Sequence, residues 1–241
     1  MLAKEKIIEL LKEENYSVNE DVNMRVDQLL ECVNNKNSLH TLDFVSDWFK
    51  NKREQCSMTT TEIPINELEG WHVEERTGNV LHDSGEFFSI RGVKITNITN
   101  REVGGWTQPM VFQKEGGILG IIRKKIKGIN HYLLHAKAEP GNVGKLQLSP
   151  TLQATFSNLK KAHHGKKPLF AEYFESKDKA KIVYSRLFAE DGGRFYLKSN
   201  HNMVVEVEEN ELPELPEDYI WVTMFQIKQL LKEDNLIAPH V

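Results

Sequence analysis

Cysteine is nearly absent from this chain of 241 residues: Cys32 and Cys56 are the only two. Two thiols cannot build a disulfide framework. They also lack metal-ligand spacing, so they read as reduced thiols of a cytosolic protein. Long apolar runs are missing too. The start, MLAKEKIIELLKEE, has no continuous apolar core of the signal-peptide type, and no later stretch approaches a membrane span. No membrane partner is expected, and the protein is expected in the cytoplasm. Charge of one sign is not in excess: 31 basic against 35 acidic residues give a net charge of −4. Without a basic footprint, nucleic acid is excluded as the main partner. There is no phosphate-binding glycine loop, no dinucleotide fingerprint and no Ser-His-Asp elbow. His163, His164 and isolated His201 have no third ligand at metal spacing, so no metal is assigned.

What is present is an ordinary globular composition, 39% hydrophobic and 27% charged. The chain is long enough for one domain plus a helical annex. Residues 1–57 read as a helical N-terminal extension. Ile7, Ile8 and Leu11 form one apolar stripe, and Val22, Val26, Leu29, Leu30 and Val33 a second. A third helix is expected from a cap at Ser38 through Leu42, Val45, Trp48 and Phe49. From residue 58 onward the texture changes to short β-type runs punctuated by glycine. Strands are expected over 87–98, 109–112, 117–126, 130–139, 152–158, 182–189 and 204–207, with a turn at Asn200 to Asn202. A helix near 171–176 is less sharply marked. A last helix is expected from a Thr223 cap to Glu233. The fold class is therefore α+β: a mixed or antiparallel sheet with helices at both ends.

The segment 131–158, HYLLHAKAEPGNVGKLQLSPTLQATFSN, carries the densest signal. Its first strand puts His131, Leu133, His135, Lys137 and Glu139 on one face. Its second puts Thr151, Gln153, Thr155 and Ser157 on one face, opposite Leu152, Ala154 and Phe156. A solvated face would be richer in Lys, Glu and Asp. Short uncharged hydrogen-bonders beside one lysine and one glutamate suggest the lining of a polar pocket. Lys137 and Glu139 are the leading candidates for chemistry, because a lysine can stabilise an enolate and a desolvated carboxylate can act as general base. The ordinary alternative is an exposed ion pair, worth about 0–1 kcal/mol.

Three further loops and one strand hold candidate groups. His82 and Ser84 sit just before a strand, where a turn can aim them at a ligand, although Asp83-Ser84-Gly85 is also a common hairpin sequence. Arg101, Trp106 and Gln108 could stack on a base and pair with a diphosphate, or form a core Trp and a surface ion pair. Arg123 is the one cation of the 123–127 run taken as a phosphate candidate. Glu190 and Arg194 flank the Gly192-Gly193 turn, with a register that pattern alone leaves open.

These residues also carry a resemblance. KAEPGN at 137–142, LSPT at 148–151, QAT at 153–155 and Ser157-Asn158 resemble the NDP-hexose 2,3-dehydratase family. The likeness extends upstream through Gly70-Trp71, His82, SGEFF at 84–88, Gly92-Val93, REV at 101–103, Trp106, Gln108-Pro109, Gly116-Gly117, Gly120, Arg123 and Gly128. Downstream it includes Ser185, Glu190, GGRF at 192–195 and Asn200. The family's usual two tandem modules contrast with one copy of each motif here.

The resemblance implies a Nudix-like module over 58–241, although the helix-borne carboxylates that hold magnesium in Nudix hydrolases are absent. It implies removal of the C2 hydroxyl from an NDP-4-keto-6-deoxyhexose, a dTDP-linked sugar above all, with no cofactor. On this reading Glu139 is the base candidate, Lys137 the enolate stabiliser and His82 the acid candidate. Trp106, Gln108, Arg123, His135, Asn142, Thr151, Gln153, Thr155, Ser157, Asn158, Glu190 and Arg194 would bind substrate. A homodimer is expected, because a single module lacks the partner that tandem relatives carry; the N-terminal helices around Leu29, Leu30, Trp48 and Phe49 could form the contact. The alternatives are another enolising isomerase or lyase on the same keto sugar, and a non-catalytic nucleotide-sugar-binding module.

Overall fold

The computed structural model describes residues 4–34, 36–97, 99–100, 102–159 and 167–241. Arg101, His163 and His164 lie outside the described residues. Six helices are described: α1 (Lys4–Glu13), α2 (Glu20–Val33), α3 (Leu42–Gln55), α4 (Phe156–Leu159), α5 (Glu172–Glu175) and α6 (Met224–Leu230). The strands are β1 (Trp71–Val73), β2 (Val80–His82), β3 (Ser89–Ile95), β4 (Trp106–Phe112), β5 (Gly117–Ile126), β6 (Ile129–Ala138), β7 (Leu146–Pro150), β8 (Leu152–Thr155), β9 (Lys181–Ala189), β10 (Ser199–Glu206) and β11 (Tyr219–Thr223).

The fold is α+β. Strands β1 to β4 form an antiparallel sheet in sequence order, and the other seven form a mixed sheet in the order β11-β6-β5-β10-β9. Its one parallel pair is β5 with β10. β5 and β6 are central, so most of their residues are buried on one face or the other, although each strand also carries polar side chains. On the first face Ile118, Ile122, Leu133, Leu152, Ala154 and Trp221 pack with Phe170, Tyr173 and Phe174 of the α5 region. Gly120 permits this: a β-carbon there would run into the Phe174 ring. On the second face Tyr132, Leu134, Leu148, Ile220 and Val222 pack with Val45 and Phe49 of α3 and Ile227 and Leu230 of α6.

The large sheet forks. β7 pairs with the second half of β6, and β8 with the first half of β5. The chain reverses between them at Thr151, whose hydroxyl donates to Leu133 O at 2.5 Å and accepts from Ile122 N at 2.9 Å. The reversal exchanges faces: Leu148 belongs to the second-face core, and Leu152 and Ala154 to the first.

The N-terminal helices divide differently from the expectation. The third helix is capped by Thr41 rather than Ser38, with Thr41 Oγ1 accepting from Phe44 N. Phe49 is 1% exposed and lies inside the chain's own core, so it cannot serve a subunit contact. The segment that stands apart is α1 with α2. α1 buries no residue and α2 buries only Val26. The expected turn at 200–202 is instead strand, the N-terminal part of β10. The expected strand at 152–158 stops at Thr155, where α4 begins. Thr223 does cap α6, through a capping box with Gln226.

Candidate active site

Four chain segments meet at one end of the large sheet: the loop before β5, the end of β8, the end of β9 and the start of β10. Side chains that hydrogen-bond rather than pack are concentrated there. Glu115 accepts from Ser157 N at 2.7 Å and from the Ser157 hydroxyl, which also meets Thr155 Oγ1 at 2.9 Å. Asn200 Nδ2 donates to Glu190 Oε1 at 2.5 Å, and Asn202 Nδ2 donates to Asn200 O at 3.2 Å. Lys198 Nζ donates to Gln113 Oε1 at 2.5 Å. Burial lowers the Lys198 ammonium below the usual lysine range, while the charges of Glu190 and Glu115 pull it back up. Glycine at 116 makes the approach possible, because a β-carbon would lie 2.5 Å from Ser199 O.

Two clefts flank this cluster. One of about 420 Å³ lies on the second face and is lined by Leu119, Tyr184, Phe188, Glu190, Asn200 and Asn202, with Pro239, His240 and Val241. The other, about 720 Å³, runs under the small sheet and includes His82, Ser84, Phe87, Arg91, Phe112, Glu115 and Tyr196. A carboxylate fixed by an amide, with an ammonium of lowered basicity close by, can take a proton from carbon and stabilise the resulting oxyanion.

The candidates on β6 form a second constellation. Lys137 Nζ lies 2.5 Å from Glu139 Oε1, with the two side chains 26% and 37% exposed. Asn142 Nδ2 donates to Lys137 O at 3.4 Å. His135 stacks on Tyr219 with ring centroids 4.3 Å apart and 8° between planes. Burial pushes His135 down to about 4; Lys137 adds to the fall, and Asp218 and Glu139 oppose it.

The two polar faces expected to converge do not. His135 and Lys137 share Leu133's face of the sheet. Gln153 and Thr155 alternate with Leu152 and Ala154, so they point to the other face. The reversal at Thr151 is the cause, since a change of direction resets the alternation. Thr151 itself is 2% exposed and spends its hydroxyl on the backbone.

The remaining candidates are dispersed. His82 is on the small sheet, its Nδ1 2.8 Å from Ser84 Oγ and its ring against Trp71 and Phe87. Trp106 Nε1 donates to Gln108 Oε1 at 2.6 Å, and Gln108 Nε2 to Gly193 O at 2.7 Å, which ties β4 to the 192–193 turn. Arg194 pairs with Asp191 at 2.7 Å, and Arg123 with Glu206 at 2.8 Å. Asn158 N donates to Thr155 Oγ1 at 3.4 Å. Lys198, Asn202 and Gln113 were not signalled by pattern; their link to Glu190 and Asn200 depends on β10 starting at Ser199, where a turn had been expected. Among the described residues no group of three His, Cys, Asp or Glu is placed to hold a metal ion, and no helix is long and apolar enough to cross a membrane.

A family model described as NDP-hexose 2,3-dehydratase matches residues 42–241. A dTDP-4-dehydro-6-deoxy-alpha-D-glucopyranose 2,3-dehydratase of Saccharopolyspora spinosa is 42% identical over 191 residues, covering 79% of this chain and 38% of the relative. A protein of the same name from Amycolatopsis orientalis is 41% identical over 197 residues, covering 80% and 41%. The chain thus spans about two-fifths of the length of the curated relatives it matches. Among solved structures, a C. elegans Ap4A hydrolase overlaps 48% of this chain and 85% of its own, at 14% identity and a TM-score of 0.28.

Proposed function

We propose, from the premise that this chain belongs to the NDP-hexose 2,3-dehydratase family, that it eliminates the C2 hydroxyl of a dTDP-linked 4-keto-6-deoxyhexose. The observation that carries the reading is Glu190 held by Asn200 on the wall of the smaller cleft, with the Lys198 ammonium interacting with it. The 4-keto group acidifies the C3 proton. Glu190, held by Asn200, takes that proton, and the C3–H electrons form an enolate at C4. Lys198 stabilises the enolate oxygen, which is where charge develops. The enolate collapses back to the ketone, C2=C3 forms and the C2 hydroxyl leaves as water with a proton supplied by an acid. His82, the acid candidate that the family resemblance implies, lines the larger cleft and not the one Glu190 lines. The resulting enol tautomerises to the 3,4-diketo-2,6-dideoxy sugar. No step draws on a metal or redox cofactor. We further read the module as Nudix-like, supported by the mixed sheet covered by helices on both faces, and the chain as a homodimer.

A second reading keeps Glu139 as base and Lys137 as enolate stabiliser, favoured by the low basicity of His135 beside that pair. One experiment separates the two. The protein is incubated with dTDP-4-keto-6-deoxyglucose and the sugar product followed by NMR and mass spectrometry, with Glu190→Gln and Glu139→Gln in parallel. Glu190→Gln is expected to lose about 10²-fold or more in turnover, and Glu139→Gln to stay within a few-fold. The opposite order transfers the chemistry to the β6 rim. A different enolisation product points to an isomerase or another lyase, and binding without turnover to a non-catalytic module.

A further inference from the structure

Strand β9 is the outer edge of the large sheet, so among the described residues one row of its backbone N–H and C=O groups has no strand beside it. Natural edges are blunted by being short, charged or covered. β9 is nine residues long and carries only Lys181 and Arg186 as charges. Its apolar side chains are instead presented outward: Ile182 is 44% exposed, Tyr184 40%, Leu187 60% and Phe188 51%. Left bare, such an edge is an aggregation site.

We propose that β9 pairs antiparallel with β9 of a second copy of this chain, joining the two large sheets across a twofold axis. An isologous contact must complement itself, and the sequence restricts how it can. Residues directly opposite share a sheet face, so the axis passes through a single residue of β9. Centring on Arg186 would put two guanidinium groups opposite each other. Centring on Ser185 brings into the seam the irregularity of β9 between Ile182 and Tyr184, where the register with β10 shifts. Centring on Leu187 avoids both and pairs Ser185 to Ala189 of the strand, whereas centring on Phe188 would pair only Leu187 to Ala189. The Leu187 centre sets Leu187 against its own copy, Arg186 against the partner copy's Phe188, and Tyr184 against the partner copy's Glu190. Arg186 and the partner copy's Glu190 then stand diagonally, within reach of long side chains of opposite charge.

The pairing bears on the candidate site, because Tyr184, Phe188 and Glu190 all line the smaller cleft. The partner strand would form that cleft's outer wall and bring a cation toward Glu190. Whether Glu190 acts as the base is a separate question that the state of assembly does not decide.

Light scattering at micromolar concentration should give twice 27.8 kDa for the native chain, and Leu187→Lys should return the monomer mass with an unchanged circular dichroism spectrum. In a Cys32→Ser, Cys56→Ser background, Leu187→Cys should form an intermolecular disulfide on mild oxidation, and Arg186→Cys should not. A native chain of monomer mass overturns the proposal. So does a dimer that survives Leu187→Lys and leaves Leu187→Cys uncrosslinked, which would place the contact elsewhere. Crosslinking through Arg186→Cys but not Leu187→Cys overturns the register.

Discussion

A buried and a half-buried histidine show how a single residue couples the fold to protons. His131 is fully buried, with Nε2 accepting from Leu39 N at 2.9 Å and Nδ1 3.2 Å from Ile129 O. That pattern suits a neutral ring with its proton on Nδ1. Burial lowers its basicity, the Ile129 carbonyl partly opposes this, and His40, Lys127 and Lys124 lower it further. His135 is held down to about 4, mainly by burial. In the unfolded chain each would titrate near the ordinary histidine value of about 6.5. The folded pKa values are depressed, so the unfolded state binds more protons on acidification and stability falls. The contribution should be fully present above roughly pH 6.5 and drain away as pH falls toward about 4. Urea midpoints at neutral pH and in mild acid would measure it. His135→Phe, which keeps a ring against Tyr219, should shrink the loss. An equal loss in both proteins would remove His135 as its origin.

Among the elements, length and periodicity decided what pattern could reveal. β5 and β9 were legible, the first from an apolar run bounded by glycine and the second from β-branched and aromatic residues ahead of a Gly-Gly turn. α6 was legible because Thr223 offers a cap just ahead of the apolar residues Met224, Ile227, Leu230 and Leu231; the capping box with Gln226 came from the structure. β1 and β2 are three residues each, and β7 and β11 five, too short to show a period. The candidate site was half legible for a related reason. Glu190, Thr155 and Ser157 stood out in the chain and Asn200 only as a turn residue, and which face each strand turns to the ligand depends on the reversal at Thr151. That reversal makes its own prediction. Thr151→Val keeps the shape but leaves the Ile122 N–H and Leu133 carbonyl without the hydroxyl they share. Each buried group so orphaned costs about 1–3 kcal/mol. Denaturant titration should show a loss of that order or larger for Thr151→Val and a much smaller one for Thr151→Ser. Equal losses would mean that the methyl packing, not the hydroxyl, holds the fork.

At the scale of the whole molecule, stability is unevenly distributed. The large sheet is clasped on both faces, and α3 and α6 are part of that clasp through Val45, Phe49, Ile227 and Leu230. The helical pair α1–α2 is outside it and outside the stretch matched by the family model, residues 42–241. α2 packs against α6, and polar links add to the attachment: Glu31 accepts from Asn130 Nδ2 at 2.5 Å and from Tyr132 Oη at 3.0 Å. Burial raises the Glu31 carboxyl above the usual carboxylate range, with both hydrogen bonds and Arg123 opposing the rise. A segment that buries one apolar side chain, Val26, and one partly desolvated carboxylate should open without the sheet, because local opening tracks local buried contact. Hydrogen exchange read by mass spectrometry should find the amides of α1 and α2 exchanging well ahead of those in β5, β6 and β11. Glu31→Ala should speed that exchange further and leave the sheet's protection unchanged. Protection of α2 equal to that of β6 would instead make the helical pair part of the same cooperative unit, and the fold would then have to be treated as indivisible from its first helix to its last.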